Sequence, residues 1–269
     1  MIDLHCHILP GLDDGAQTLE EALEMARAAR EDGIEKIVAA PHLFRNNFIC
    51  RDFGIIEEKR QELSRALKKN NIDVEIFPGA EVHISHNLIK AIKEHKNFLV
   101  LNHSSYMFVE FPSEHVFSGV KRLFFELMSE GITPIIAHPE RNSVFTQNPG
   151  LLYDLVRMGA LSQANSGSFS GLYGNTVKEG VYQFLELRLI HFIATDGHNT
   201  RSILPKLSEA LEKAAEVVGE KESYHLVREN PQAVLNDKEI SYFPEPVDPR
   251  RKKKSFSIKI PSLLLSLAK

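Results

Sequence analysis

Met1-Ile2-Asp3-Leu4-His5-Cys6-His7-Ile8-Leu9-Pro10-Gly11-Leu12-Asp13-Asp14-Gly15 opens the chain. Its first half reads as a strand ended by His5-Cys6-His7, followed by a turn rich in glycine and acid. Side chains alternate across a strand, so His5 and His7 face one side and Cys6 the other. Two imidazoles then aim at one point. A single histidine is more often structural than a ligand, but two at this spacing, just ahead of an acidic turn, read as the start of a metal site.

Outward from this stretch the chain alternates. Thr18-Leu19-Glu20-Glu21 has capping-box spacing, and Leu19, Leu23, Ala26 and Arg30 continue a helix ended by Gly33. Ile34 to Ala40 reads as a strand, about 55–69 as a charged amphipathic helix, Val74 to Phe77 as a strand running towards Glu81, and Leu88 to Glu94 as a short helix. Further strands are predicted at Phe98 to Leu101, Met107 to Phe111, Pro134 to Ala137, Leu161 to Ala164 and Leu189 to Thr195, with helical patterns between the later ones. Such a βα repeat fits a doubly wound sheet or a closed barrel of parallel strands, and local pattern does not separate them.

The positions of the other candidate ligands do. His42 follows the second strand, Glu81 the third, Glu110 lies in Val109-Glu110-Phe111-Pro112, His138 follows Ile135-Ile136-Ala137, and Asp196 and His198 follow Ile193-Ala194-Thr195. Each sits at or near the C-terminal end of a strand, and in a parallel barrel those ends share the face that carries the active site. Imidazole with carboxylate suits zinc, iron or manganese. With Asp14 the donors are too many for one ion, and a bridging carboxylate such as Glu81 would let ions sit roughly 3.5–4 Å apart, as in phosphoryl-transfer sites. The charge of three divalent ions exceeds that of Asp14, Glu81, Glu110 and Asp196 by about two units, which favours a dianionic guest. Arg141 and Arg201 lie close in sequence to ligands, and a guanidinium fork matches phosphate oxygens; the alternative for each is a surface ion pair.

Composition narrows the field. The 269 residues are 43% hydrophobic and 25% charged, ordinary for one globular α/β domain. No apolar run approaches a membrane span, and the N-terminus lacks a secretory or transit pattern, so a cytoplasmic address is expected. Of the net charge of −4, residues 250–269 contribute +7, so the rest carries −11, which argues against nucleic acid. Cys6 and Cys50 are too few for a disulfide framework, and Leu12 and Ile56 stand where a thiolate phosphatase needs arginine. No Walker-type glycine loop appears. His83, His86, His95, His103, His115, His191 and His225 lack strand-end register and read as structural or exposed, His83 and His86 being the nearest to exceptions because they follow Glu81. The repeat ends near Asn230-Pro231, and Tyr242-Phe243-Pro244-Glu245-Pro246 leads into Arg250-Arg251-Lys252-Lys253-Lys254 and an apolar finish. The expected division is therefore a body at 1–242 and a basic, apolar tail at 243–269, either a loosely attached terminus or a contact for a membrane surface or partner.

The opening stretch resembles the bacterial manganese-dependent tyrosine phosphatases of the CpsB/CapC/YwqE type, within the polymerase and histidinol phosphatase (PHP) superfamily. The resemblance extends through Ala40-Pro41-His42, Gly79-Ala80-Glu81, His138-Pro139-Glu140-Arg141, Thr195-Asp196-Gly197-His198 and Glu229-Asn230-Pro231. It implies a distorted (β/α)7 TIM-like barrel of the PHP fold with the metals at the C-terminal ends of the strands. It also implies three divalent ions, manganese first with iron or zinc possible. His5, His7, Glu81 and Asp196 would surround one; Glu81, Glu110 and His138 a second; Asp14, His42 and His198 a third. The choice of Asp14 over Asp13 rests on the family pattern. Arg141 and Arg201 would hold the phosphate, with Asp196 beside them as a catalytic residue. The implied partner is a membrane-bound bacterial tyrosine autokinase with a tyrosine-rich tail that regulates capsule or exopolysaccharide assembly, and the implied chemistry is in-line attack by activated water without a covalent enzyme intermediate. Competing readings are a small-molecule phosphatase such as a histidinol-phosphate phosphatase, a PHP-type nuclease, and a non-catalytic scaffold. The acidic body disfavours the nuclease, and the presence of every expected ligand type at its strand end disfavours the scaffold.

Overall fold

A computed structural model of the chain describes residues 1–45 and 53–251. Cys50 and the last part of the expected tail, 252–269, lie outside the described residues.

Among the described residues, nine strands, all paired in parallel, alternate with helices. They are β1 Ile2–Cys6, β2 Lys36–Ala39, β3 His42–Leu43, β4 Glu75–Pro78, β5 Glu81–His83, β6 Tyr106–Glu110, β7 Thr133–Ala137, β8 Leu161–Asn165 and β9 Phe192–Ala194. The helices are α1 Leu19–Glu31, α2 Phe53–Lys69, α3 Leu88–Leu99, α4 Val120–Ser129, α5 Ser143–Gln147, α6 Pro149–Arg157, α7 Ser166–Ser170, α8 Asn175–Glu186, α9 Ser208–Val218, α10 Glu220–Tyr224 and α11 Asn230–Leu235. The Thr18 side chain accepts from Glu21 N–H and so starts α1 where the capping box placed it.

The strands form two sheets, ordered β1-β2-β4 and β3-β5-β6-β7-β8-β9. The split is local. β2 and β4 pair from Lys36↔Glu75 to Ala39↔Pro78, and the same two chain segments pair again as β3 and β5 at His42↔Glu81. Between the pairings stand Ala40-Pro41 on one side and Gly79-Ala80 on the other. Pro41 has no N–H for the ladder, and a Cβ on Gly79 would lie 2.4 Å from Val38 Cγ1, so only glycine lets the strands pass this closely. At the other side the end of β9 meets β1: Asp196 N–H donates to His5 O (2.8 Å), His7 N–H to Gly197 O (2.9 Å), and Cys6 bridges Gly197.

One face of the strands packs against the helices in the larger apolar core. The opposite face carries a smaller cluster, including Leu4, Val38, Phe108, Ile135, Leu161 and Phe192, closed by Val234 and Leu235 of α11. In β1 the register slips between Asp3 and Cys6. This bulge lets Leu4 join the smaller cluster and Cys6 the larger while His5 packs on Phe108, their ring centroids 4.7 Å apart.

Phe98 to Leu101 is not the strand its apolar run predicts. α3 continues to Leu99, and a 3-10 turn follows at Leu101–His103. Leu88, Ile92 and Leu99 bury at helical spacing and Phe98 is 47% exposed, so the run is the buried end of an amphipathic helix. The last expected strand, Leu189 to Thr195, is shorter than its apolar run: the turn at Leu187 and Arg188 closes with Leu189 N–H donating to Phe184 O, and the ladder begins only at Phe192.

Candidate metal centre

The C-terminal ends of the strands bring nine side chains together: His5, His7, Asp14, His42, Glu81, Glu110, His138, Asp196 and His198. His5 Nε2 and His7 Nε2 stand 3.2 Å apart. Glu81 Oε2 lies 3.5 Å from each of them and 2.7 Å from His42 Nδ1, while Glu81 Oε1 lies 2.8 Å from His138 Nε2. Asp196 Oδ1 is 3.3 Å from His7 Nε2 and 3.6 Å from His198 Nδ1. Asp14 Oδ1 sits 3.4 Å from the Nε2 atoms of both His42 and His198, and Glu110 Oε2 is 3.8 Å from His42 Nδ1. Three groups among them are compact enough to hold an ion: His7-Asp14-His42-His198, His5-His7-Glu81 and His42-Glu81-Glu110. The grouping shares His7 and His42 more widely than the family pattern implies, while Glu81 belongs to two groups in both.

Neighbours fix which nitrogen three of the five histidines present. His5 Nδ1 meets Gln163 Oε1 at 3.0 Å, His7 Nδ1 meets Asp13 Oδ2 at 2.7 Å, and His198 Nδ1 meets Asp196 O at 2.7 Å. Each partner is an acceptor, so Nδ1 carries the hydrogen and the Nε2 lone pair turns inward. Gln163 Nε2 donates on to Asn165 Oδ1 (2.8 Å), and Asn165 Nδ2 to Asp196 Oδ2 (2.6 Å), so one polar chain links β1, β8 and the end of β9. Asp13 also accepts from His42 N–H (3.0 Å) and Gly15 N–H (2.9 Å). It is a buried positioning residue, whereas the Asp14 side chain is 46% exposed and faces the cluster. A Cβ on Gly15 would lie 2.0 Å from His7 O, so the acidic turn needs glycine to fold this tightly over the strand end.

This donor set asks for cations. Glu81, Glu110 and Asp196 are buried with four buried imidazoles and the nearly buried His198, and buried carboxylates are unfavourable without positive charge beside them. Burial alone would raise Glu81 and Asp196; the surrounding histidines outweigh it and hold both well below the usual carboxylate range. Burial would likewise lower His7 and His42, yet Asp13 and Asp196 hold His7 well above its ordinary value, and Asp14 and Glu81 push His42 up to about 9. Protons gather where the geometry offers places to divalent ions. Two donors stand on left-handed backbone, His138 at φ 31° and Asp196 at φ 50°. By contrast, burial pushes the Cys6 thiol well up, which removes it as a nucleophile.

Arg141 reaches the cluster. Its Nη1 donates to Asp196 Oδ2 at 2.7 Å, and its guanidinium lies 4.5 Å from the centroid of the Tyr173 ring. Arg201 is exposed on the following loop, whose turn is closed by backbone N–H groups of Arg201 and Ser202 donating to Asn199 Oδ1. Among the described residues no hydrogen bond or ion pair ties its guanidinium to the cluster. Sequence reasoning missed Arg45, whose Nη1 donates to His42 Nε2 at 2.7 Å and lies 3.4 Å from Glu110 Oε1. It also missed Asp13, Gln163 and Asn165 as positioning residues. His83 sits beside the site, Nδ1 3.0 Å from Glu110 Oε2.

The sequence profile of the family described as "Capsular polysaccharide synthesis, CpsB/CapC" matches residues 1–236. Tyrosine-protein phosphatase YwqE of Bacillus subtilis (strain 168) is 38% identical over 256 residues, covering 95% of this chain and 99% of the relative. Putative tyrosine-protein phosphatase CapC of Staphylococcus aureus is 36% identical over 199 residues, covering 74% and 77%. A chain from the crystal structures of YwqE from Bacillus subtilis and CpsB from Streptococcus pneumoniae, described as unique metal-dependent tyrosine phosphatases, superposes with a TM-score of 0.88 at 37% identity, covering 93% of this chain and 100% of that one. The phosphotriesterase from Mycobacterium tuberculosis shares the fold alone, at 10% identity and a TM-score of 0.53, with 88% and 93% covered.

Proposed function

The chain belongs to the CpsB/CapC family, and on that premise we propose that it is a metal-dependent phosphomonoesterase acting on phosphotyrosine of a bacterial tyrosine autokinase that regulates capsule or exopolysaccharide synthesis. The nine side chains hold three divalent ions, manganese first, with iron or zinc as alternatives. His5, His7, Glu81 and Asp196 take one, Glu81, Glu110 and His138 the second, and Asp14, His42 and His198 the third. The fold is a distorted (β/α)7 barrel, with β2 and β3 counted as one interrupted strand, β4 and β5 as another, and β9 beside β1. The working unit is 1–242 with a separate tail at 243–269, and the protein works in the cytoplasm; no helix among the described residues is long and apolar enough to cross a membrane.

One observation carries this reading. His5 Nε2 and His7 Nε2 face each other across 3.2 Å while their Nδ1 atoms are held by Gln163 and Asp13. Two lone pairs beside the Glu81 and Asp196 carboxylates suit a cation, and Arg141 pairs with only one oxygen of Asp196, leaving Oδ1 turned to the histidines.

Bound divalent ions would supply a water activated near neutral pH and a polarised phosphoryl group. The protein does the rest. Gln163, Asp13 and the Asp196 carbonyl fix the imidazoles before substrate arrives. Asp196 and the Tyr173 face hold Arg141 so that the remaining donors of its fork can meet equatorial phosphate oxygens. Asp196 keeps the ligands and that arginine in one register. Arg201 supplies a second phosphate contact from its loop. No side-chain nucleophile is used.

The test is hydrolysis by chelated and then metal-reloaded protein of a phosphotyrosine peptide, p-nitrophenyl phosphate and histidinol phosphate. Manganese should restore turnover, the peptide should be preferred, and His5→Ala and Asp196→Ala should abolish activity. Preference for histidinol phosphate would move the enzyme to the small-molecule class, and inactivity with every divalent metal would refute the reading.

A further inference from the structure

A cavity of about 370 Å³ lies behind the loop that carries Arg201. Its walls come from α7 and the turn after it (Ser166, Ser170, Leu172), from the loop itself (Ser202, Lys206) and from the start of α9. The volume is at the small end of the range for ligand pockets, roughly 300–1,000 Å³, and suits a side chain or two of a peptide better than a nucleotide.

The loop is held at both ends, so the cavity is formed before any ligand arrives. His198 and Asn199 N–H groups donate to Ile203 O (2.9 and 3.2 Å), and Arg201 and Ser202 N–H groups donate to Asn199 Oδ1 (2.9 and 2.8 Å). Asp32 then accepts from the Leu207 and Ser208 N–H groups (2.6 and 3.0 Å) and from the Ser208 hydroxyl, which anchors the exit of the loop to the end of α1. A ligand entering such a cavity has little to set in order.

Two neighbours join the cavity to the metal centre. A Cβ on Gly167 would lie 2.8 Å from Leu172 Cδ2 and 3.3 Å from Tyr173 Cε2, so both side chains pack on the same glycine. Leu172 lines the cavity and is 46% exposed, whereas the Tyr173 ring lies against Arg141, which donates to Asp196. On the other side Thr195 lines the cavity, and the next residue, Asp196, is in the cluster. A chain held by its phosphoryl group at Arg141 can therefore cross Leu172 and set its adjacent residues in the cavity.

Charge gives the occupant its sign. From Gly197 to Ser208 the chain has no acid and two cations, Arg201 and Lys206, in a body that carries −11 outside residues 250–269. Among the described residues neither cation has an ion pair. The two carboxylates in the lining are already engaged, Asp32 in the contacts above and Glu209 with Lys213. An ammonium, serine hydroxyls and an apolar rim are left for a ligand. An acidic side chain matches the first two, while a basic one would find no uncommitted carboxylate.

We propose that this cavity is a subsite for the chain next to the phosphorylated residue, and that Lys206 makes it select an acidic side chain there. The subsite rests on the phosphatase reading and deepens it: the metal centre takes the phosphoryl group, and the cavity distinguishes one phosphopeptide from another.

The experiment measures kcat and KM of the full, manganese-loaded chain on p-nitrophenyl phosphate and on two phosphotyrosine peptides of equal length, one with glutamates on both sides of the phosphotyrosine and one with glutamines in their place. The parent should show a KM about two- to fivefold lower for the glutamate peptide at similar kcat, the range of an ion pair at the surface, and the difference should shrink as salt rises. Lys206→Glu should abolish or invert that difference and Lys206→Arg should keep it. Leu172→Asp, which sets an acid at the mouth, should raise KM for the glutamate peptide more than for the glutamine one. All three should hydrolyse p-nitrophenyl phosphate like the parent, because that substrate has no chain to reach the cavity. Lys238→Glu changes the net charge equally at an exposed lysine beside the start of β6, where the Tyr106 hydroxyl donates to Lys238 O, and should leave the preference intact. Equal KM for the two peptides in the parent, an unchanged preference in Lys206→Glu, or the same loss in Lys238→Glu overturns the subsite, while turnover of p-nitrophenyl phosphate keeps the phosphatase reading standing. Absence of all hydrolysis by the parent sinks that reading and the subsite with it.

Discussion

Replacing His191 by glutamine should flatten the acid limb of the stability curve. His191 is fully buried, and its Nδ1 accepts from Ser162 N–H at 3.1 Å, so the ring is held neutral with hydrogen on Nε2. Burial pushes its pKa down from 6.5 to about 3. Below the unfolded value the unfolded chain takes a proton that the folded one refuses, so stability is full above about pH 6.5 and falls as pH drops towards 3. At pH 5 the gap of one and a half units corresponds to about 2 kcal/mol, or roughly 4–8 °C in Tm for a domain of this size. Glutamine offers Ser162 an acceptor and does not titrate. Urea unfolding of parent and His191→Gln at pH 7, 6 and 5, in chelator so that ion binding does not enter, should show the parent losing about 2 kcal/mol more than the variant between pH 7 and 5. Parallel losses would refute the assignment of this proton.

Three further outcomes concern the site. Asp13→Asn removes the charged acceptor that orients His7 and meets His42 N–H, and calorimetric titration should show manganese affinity falling about 10- to 100-fold with the circular dichroism spectrum unchanged; equal affinity would make Asp13 incidental. Arg45→Gln takes a cation off His42 and Glu110, so the weakest ion should bind about two- to fivefold tighter, the modest range set by the half-exposed arginine; weaker binding would show that Arg45 supports the ligands instead of competing. Gly15→Ala places a methyl 2.0 Å from His7 O and should lose about 1–3 kcal/mol in thermal unfolding together with most hydrolysis, whereas a wild-type melt would mean that the turn relaxes freely.

Most strands were legible because each is a short apolar run with a polar residue at its exit, and the exits named the side chains, from His5 to His198, that the structure brings together. Phe98 to Leu101 was misread because four apolar residues look alike at a helix end and in a strand, and only the burial of Leu99 with Ile92 separates them. The residues behind the donors were harder. That Gln163 stands behind His5 depends on β8 and β1 approaching the same point, a relation between distant segments that no local spacing carries. A signal did exist: Leu161-Ser162-Gln163-Ala164-Asn165 is a strand with amides at alternate positions, and buried amides need partners. Arg45 carried no such signal, because nothing in His42-Leu43-Phe44-Arg45 shows that the chain turns the guanidinium back onto His42.

The left-handed backbone at His138 and Asp196 makes the nine donors unequal in how freely descent can alter them. At those two places a new residue must serve the proposed ion site and also tolerate a conformation that most side chains avoid. Asp14 carries no such restriction and is half open to solvent. Lineages that change their preferred metal should therefore show drift first at Asp14 and its turn, with positions 138 and 196 the last to move.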